Sequence, residues 1–129
     1  MPRTVALEGI ATGTYAFYST DKIQSKYVTN VVDLGFAYIY ECKSSDADKV
    51  RPLFTRIDGE SISFDKAVST NTILRALGAR VVHRSGFGVY AYTPRNEKHI
   101  VQDGKKINVQ IVTGSSGTQV GLPIMLGAY

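Results

Sequence analysis

The chain has 129 residues, 43% of them hydrophobic and 20% charged, and a single cysteine. That size leaves no room for a second independent core, and the composition excludes disorder, a collagen-like repeat and a disulfide scaffold. The net charge of +4 is unevenly placed: residues 1–65 hold seven Lys/Arg against nine Asp/Glu, a balance of −2, and residues 66–129 hold eight against two, a balance of +6.

A single domain over residues 1–129 is therefore expected. The longest uncharged apolar stretch, residues 120–129, contains Gly121, Pro123 and Gly127 and falls well short of the roughly 20 residues of a membrane-spanning helix. Glu8 interrupts the N-terminus too early for a signal sequence. The chain reads as cytoplasmic by default, and as extracytoplasmic if an N-terminal anchor precedes it.

Residues 14–19 are aromatic and lie between Gly13 and the polar Thr20-Asp21-Lys22, which predicts a strand. Two more follow at 27–32 and 36–42, on either side of a turn at Asp33-Leu34-Gly35. Alternation in the latter puts Phe36, Tyr38, Tyr40 and Cys42 on one face and Ala37, Ile39 and Glu41 on the other. Residues 44–48 predict a helix start, with a serine hydroxyl accepting from the free amides of the first turn. Ala47, Val50, Phe54 and Ile57 recur at helical spacing, but Pro52 removes a hydrogen bond and predicts a kink or two short segments. Asp58-Gly59 ends this element, and residues 61–64 alternate as a short strand.

A second short helix runs from a Ser69 or Thr70 cap to Leu77, with Ile73, Leu74 and Leu77 as its apolar stripe and Gly78 at its exit. Strand signals then recur at 81–83, 89–92, 99–101, 107–112 and 118–122. They are separated by turn chemistry at 85–88, 93–96, Asp103-Gly104 and 114–117. In residues 107–111 apolar side chains alternate with Asn108 and Gln110, which predicts a strand with both amides on its wet face. The expected architecture is α+β, an antiparallel sheet with a C-terminal meander and two short helices packed on one side.

Catalytic and metal chemistry find little support in this pattern. His83 and His99 are the only histidines, sit on separate strands and lack zinc-type spacing to Cys42. Both are expected to be partly exposed, and Cys42 to be a small buried hydrophobe. Residues 114–117 lack the lysine and following helix of a phosphate-binding loop, and Gly86-Phe87-Gly88 lacks the strand-turn-helix setting of a dinucleotide site. Asp46 with Asp48, and Asp58 with Glu60, are explained by caps and turns. No cofactor and no metal are expected.

The strongest surface signal is basic and aromatic. Arg80, Arg84, Arg95, Lys98, Lys105 and Lys106, with Arg75 nearby, are opposed only by Glu97 and Asp103, and Tyr90 and Tyr92 alternate onto one face of a strand. Cations neutralising phosphates beside rings that stack on bases would form a polyanion or single-strand binding surface. The alternative turns both tyrosines into the core, with Val89 and Ala91 outward, and leaves the cations as a solvated face.

Residues 57–64, 89–94, 105–111 and 120–127, which hold Ile57-Asp58-Gly59, Tyr90-Ala91-Tyr92, Lys105-Lys106-Ile107 and Gly121-Leu122-Pro123, resemble segments of small uncharacterised proteins of Gram-positive bacteria, a family of unknown function with some membrane-anchored members. The resemblance implies no site and no residue role. The sequence thus ranks three readings. First comes a non-enzymatic domain acting through protein or envelope contacts, then a binder of single-stranded nucleic acid or another polyanion, and last an enzyme built on Cys42 with His83 or His99.

Overall fold

A computed structural model describes residues 12–86, 88–94, 99–114 and 117–122. Among these, the aromatic and β-branched segments form ten strands: β1 (Gly13–Ser19), β2 (Val28–Asp33), β3 (Tyr38–Lys43), β4 (Gly59–Phe64), β5 (Arg80–Ser85), β6 (Gly88–Tyr92), β7 (Ile100–Gln102), β8 (Lys105–Ile107), β9 (Val109–Thr113) and β10 (Thr118–Leu122). Eight pair antiparallel in one sheet of order β2-β3-β1-β4-β10-β9-β6-β5, and β7 pairs with β8 in a separate ribbon. The helices are α1 (Ala47–Val50), flanked by 3-10 turns, and α2 (Thr70–Leu77). The expected α+β class holds, with the C-terminal meander interrupted by the β7–β8 hairpin. No helix among the described residues is long and apolar enough to cross a membrane.

Strand order keeps each half of the chain together. Residues 13–64 supply β2-β3-β1-β4 and residues 80–122 supply β10-β9-β6-β5, so the halves meet along the β4–β10 seam, from Gln119 opposite Ser63 to Leu122 opposite Glu60. Among the described residues, the division of charge along the sequence thereby becomes a division across the sheet, with the basic half at the β5 end.

Register fixes which residues share a face, because directly opposed residues project the same way. One row runs Val28, Cys42, Tyr15, Ile62, Val120, Ile111, Val89, Arg84. Its central members are buried with Ala47 and Val50 of α1 and Ile73, Leu74 and Leu77 of α2 in one core; each such fully buried aliphatic or aromatic side chain contributes about 1.5–3 kcal/mol. The row on the other face runs Asn30, Glu41, Ala16, Ser61, Gly121, Gln110, Tyr90, His83. Small and polar side chains replace the apolar ones there.

Local chemistry explains the elements. Pro52 confines α1 to four residues and a following 3-10 turn over Arg51–Leu53, after which Phe54 is extended. Ser44 does not cap this helix: its hydroxyl accepts from the Gly13 N–H at 3.1 Å. In α2 the Ser69 hydroxyl accepts from the Thr72 N–H at 3.3 Å, and Gly78, at φ +62°, turns the chain out as the Ala79 N–H bonds the Leu74 carbonyl at 2.9 Å. Glycine is required at position 13, where a Cβ would collide with the Ser63 carbonyl oxygen.

Two placements differ from the alternation reading. Phe36 lies in the turn before β3, after Gly35 at φ +88°, and is 74% exposed instead of joining Tyr40 and Cys42 in the core. Asn108 falls between β8 and β9 and is fully buried instead of wet, for a reason taken up in the Discussion.

Side-chain bonds fasten the α1 region to the sheet. Asp21 Oδ2 accepts from the Thr55 N–H at 2.7 Å, the Thr55 hydroxyl at 2.8 Å and the Arg56 N–H at 3.1 Å. The Thr55 hydroxyl above all, with the two backbone amides, holds the Asp21 pKa below its ordinary value. Arg51 Nη2 meets Glu60 Oε1 at 3.4 Å, with both side chains only 10–11% exposed, and the guanidinium lies 5.8 and 5.6 Å from the Tyr15 and Phe17 ring centres.

A candidate basic cleft beside β5 and the β7–β8 hairpin

Two local devices place the cations of this region. The first is the α2 exit, which starts β5 at Arg80 immediately after Gly78 and Ala79. The second is the Asp103-Gly104 turn, whose φ values of +53° and +75° give two successive left-handed residues, the conformation of a tight two-residue hairpin. This turn pairs Gln102 with Lys105 and Val101 with Lys106. Buried Ile107 anchors the base of the ribbon.

Between these elements lies a cleft of 610 Å³ lined by Arg80, Val81, Val82, Tyr92, Gly104, Lys105 and Lys106. Among the described residues, no carboxylate lines it. Tyr92 stands opposite Arg80 in the β5–β6 register, and Tyr90 stands opposite His83. The tyrosines therefore project away from the helices, while Val89 and Ala91 are buried in the core. His83 and Tyr90 rings lie 6.3 Å apart at 30°, and Gln110 Nε2 is 3.4 Å from the Tyr90 hydroxyl.

A β-bulge explains which of the expected cations assemble. The β5–β6 register shifts between Val81 and His83, so Arg80 and His83, three residues apart, share a face. Strict alternation would separate them. Arg84 is then opposite Val89, on the helix-bearing face, and does not join the cleft. Arg95 and Lys98 lie outside the described residues. Of the sequence-derived set, Arg80, Lys105, Lys106 and Tyr92 come together, with Tyr90 adjoining. His83 was missed as a neighbour of Tyr90 because only the bulge brings it there.

The Cys42/His arrangement is not assembled. Cys42 is fully buried on the helix-bearing face of β3, and His83 projects from the other face of β5, six strand spacings of about 4.8 Å away. His99 is exposed next to β7, whose ribbon contacts the sheet at β6. The acidic pairs engage cations: Asp46 with Lys49 at 3.7 Å, Asp58 with Arg56 at 2.6 Å, and Glu60 with Arg51. Among the described residues, no three of His, Cys, Asp and Glu gather as metal ligands. Comparison with protein-family models, with curated proteins and with solved structures returned no match.

Proposed function

We propose that the protein is a non-enzymatic binding module whose cleft between β5 and the β7–β8 hairpin takes a polyanion. The observation that carries this reading is the convergence of Arg80, Lys105 and Lys106 around Tyr92 in one concavity that, among the described residues, no carboxylate lines. Like charges held together on low-dielectric walls raise the local potential and concentrate anions, and a polyanion that displaces their counterions gains entropy. Titration calorimetry with linear inorganic polyphosphate at low salt tests it. Binding that weakens as salt rises is expected, with loss in an Arg80→Ala, Lys105→Ala, Lys106→Ala triple variant and retention in Arg84→Ala, whose side chain belongs to the other face. No binding, or binding indifferent to salt, overturns it.

A protein partner is the second reading, favoured by Val31 and Val32 on the edge strand β2, 48% and 37% exposed, with Phe36 at the same end of the sheet. A photo-crosslinking residue at position 36 should then give one discrete adduct that is lost in Val31→Ser. Diffuse labelling would count against it.

A further inference from the structure

Resting on the cleft's reading as a polyanion site, we propose that its ligand is an extended single strand of nucleic acid, laid along β6 with successive bases stacked on Tyr92 and Tyr90. Two residues apart on one strand, these side chains leave the same face about 7 Å from each other. Each has a nitrogen-bearing partner directly opposite on β5, Arg80 beside Tyr92 and His83 beside Tyr90. Arg80 is set to contact phosphate while Tyr92 meets the attached base. The His83 ring, 6.3 Å from Tyr90 and tilted by 30°, widens the second platform, and the Gln110 amide holds the Tyr90 hydroxyl at its outer end.

Other polyanions make no use of these rings. Inorganic phosphate chains have nothing to stack, and a duplex keeps its base faces inside its own stack. The ring spacing is about twice the 3.4 Å rise of stacked bases, so a bound strand must be unstacked. That favours pyrimidine runs, which lose least on extension.

The test is fluorescence anisotropy with labelled oligo-dT, oligo-dA and a duplex of the same length, beside the polyphosphate titration. Oligo-dT is expected to bind tightest, with a log–log salt slope of about −2 for three phosphates on three cations. Tyr92→Leu and Tyr90→Leu are each expected to weaken oligo-dT about tenfold, and Tyr90→Leu, at a residue outside the cleft lining, to leave polyphosphate binding unchanged. Tyr90→Phe, which keeps the ring and loses the hydroxyl, should bind oligo-dT like the parent and so separates stacking from a fold defect. Leucine variants that bind oligo-dT as tightly as the parent, or a duplex bound equally well, overturn the single-strand proposal while polyphosphate binding continues to support the cleft. Absence of binding to every probe, polyphosphate included, removes both.

Discussion

Asn108 holds both backbone groups of Thr93: its Oδ1 accepts from the Thr93 N–H at 2.8 Å and its Nδ2 donates to the Thr93 carbonyl at 2.8 Å. A side-chain amide thus supplies a rung of the ladder just where the β6–β9 pairing, which the backbone continues through the Asn108 N–H to the Ala91 carbonyl at 3.1 Å, gives out. The Thr93 hydroxyl in turn donates to the Leu77 carbonyl at 2.9 Å. The end of α2, the end of β6 and the base of the β7–β8 hairpin are joined through these two residues. Thr118 does the same elsewhere, accepting from the Val68 N–H at 2.8 Å and donating to the Val68 carbonyl at 3.0 Å.

Asn108→Ala removes both bonds from a fully buried residue, and each buried backbone group deprived of such a bond costs about 1–3 kcal/mol. A loss of about 3 kcal/mol is expected, read as a melting point lower by roughly 10 °C. Asn108→Asp keeps the shape but cannot donate when ionised, and should be at least as destabilising near neutral pH. Equal melting points for parent and Asn108→Asp would refute the two-bond account.

The Asp21 clamp gives stability a dependence on acid. Its pKa is depressed in the folded state by the bonds from Thr55 and Arg56, against the opposing effects of desolvation and the Asp58 charge. The stabilisation is therefore complete above the ordinary value of 3.8, and it is lost as pH falls through the lower, native value. Asp21→Asn should lower the melting point at neutral pH and flatten its decline on the acid side. Thermal scans across that range check this, and two parallel curves would contradict it.

Arg51 and Glu60 bring opposite charges into a nearly dry site against the Tyr15 and Phe17 rings. Removing one partner of such a pair costs about 3–5 kcal/mol because the other charge stays buried, whereas replacing both with apolar groups can be neutral. Arg51→Met is expected to destabilise by about 3 kcal/mol, and Arg51→Met with Glu60→Leu to regain part of that. Urea unfolding of the two single variants and the double measures the coupling; strict additivity would mean that the pair does not act as one.

Both edge strands of the sheet are bulged. The β2–β3 register shifts between Val28 and Asn30, and the β5–β6 register between Val81 and His83. A bulge twists an edge out of the geometry that pairs with another sheet. Deleting Thr29 restores a regular β2 without changing the face of any neighbour, and should convert the protein to a concentration-dependent oligomer in light scattering. An oligomeric state unchanged by the deletion would show that the edge is protected by other means.

What the sequence showed and what it hid divide by range. The α2 helix, with Ser69 at its start and Gly78 at its end, and the Asp103-Gly104 hairpin follow from a few adjacent residues and were legible. Asn108 was not, because alternation treats residues 107–111 as one strand and cannot reveal the break that turns the amide inward. The side of the sheet that Arg84 occupies was not legible for a similar reason: nothing in Val81-Val82-His83 marks Val82 as the extra residue. Nor could composition show that β4 would stand between β1 and β10, since that depends on pairings between distant parts of the chain.

The β4–β10 seam has a last consequence. Among the described residues, the net negative first half of the chain supplies the β2 side of the sheet and the net positive second half the β5 side, so charge is unevenly divided along the sheet from β2 to β5. A polyanion exerts a torque on such a body before any side chain touches it, within a Debye length of about 8–10 Å in physiological salt, and turns the β5 end forward. For the polyanion ligand proposed above, the strand order would orient the protein during its approach, and added salt should then slow association by shortening the distance over which that turning begins.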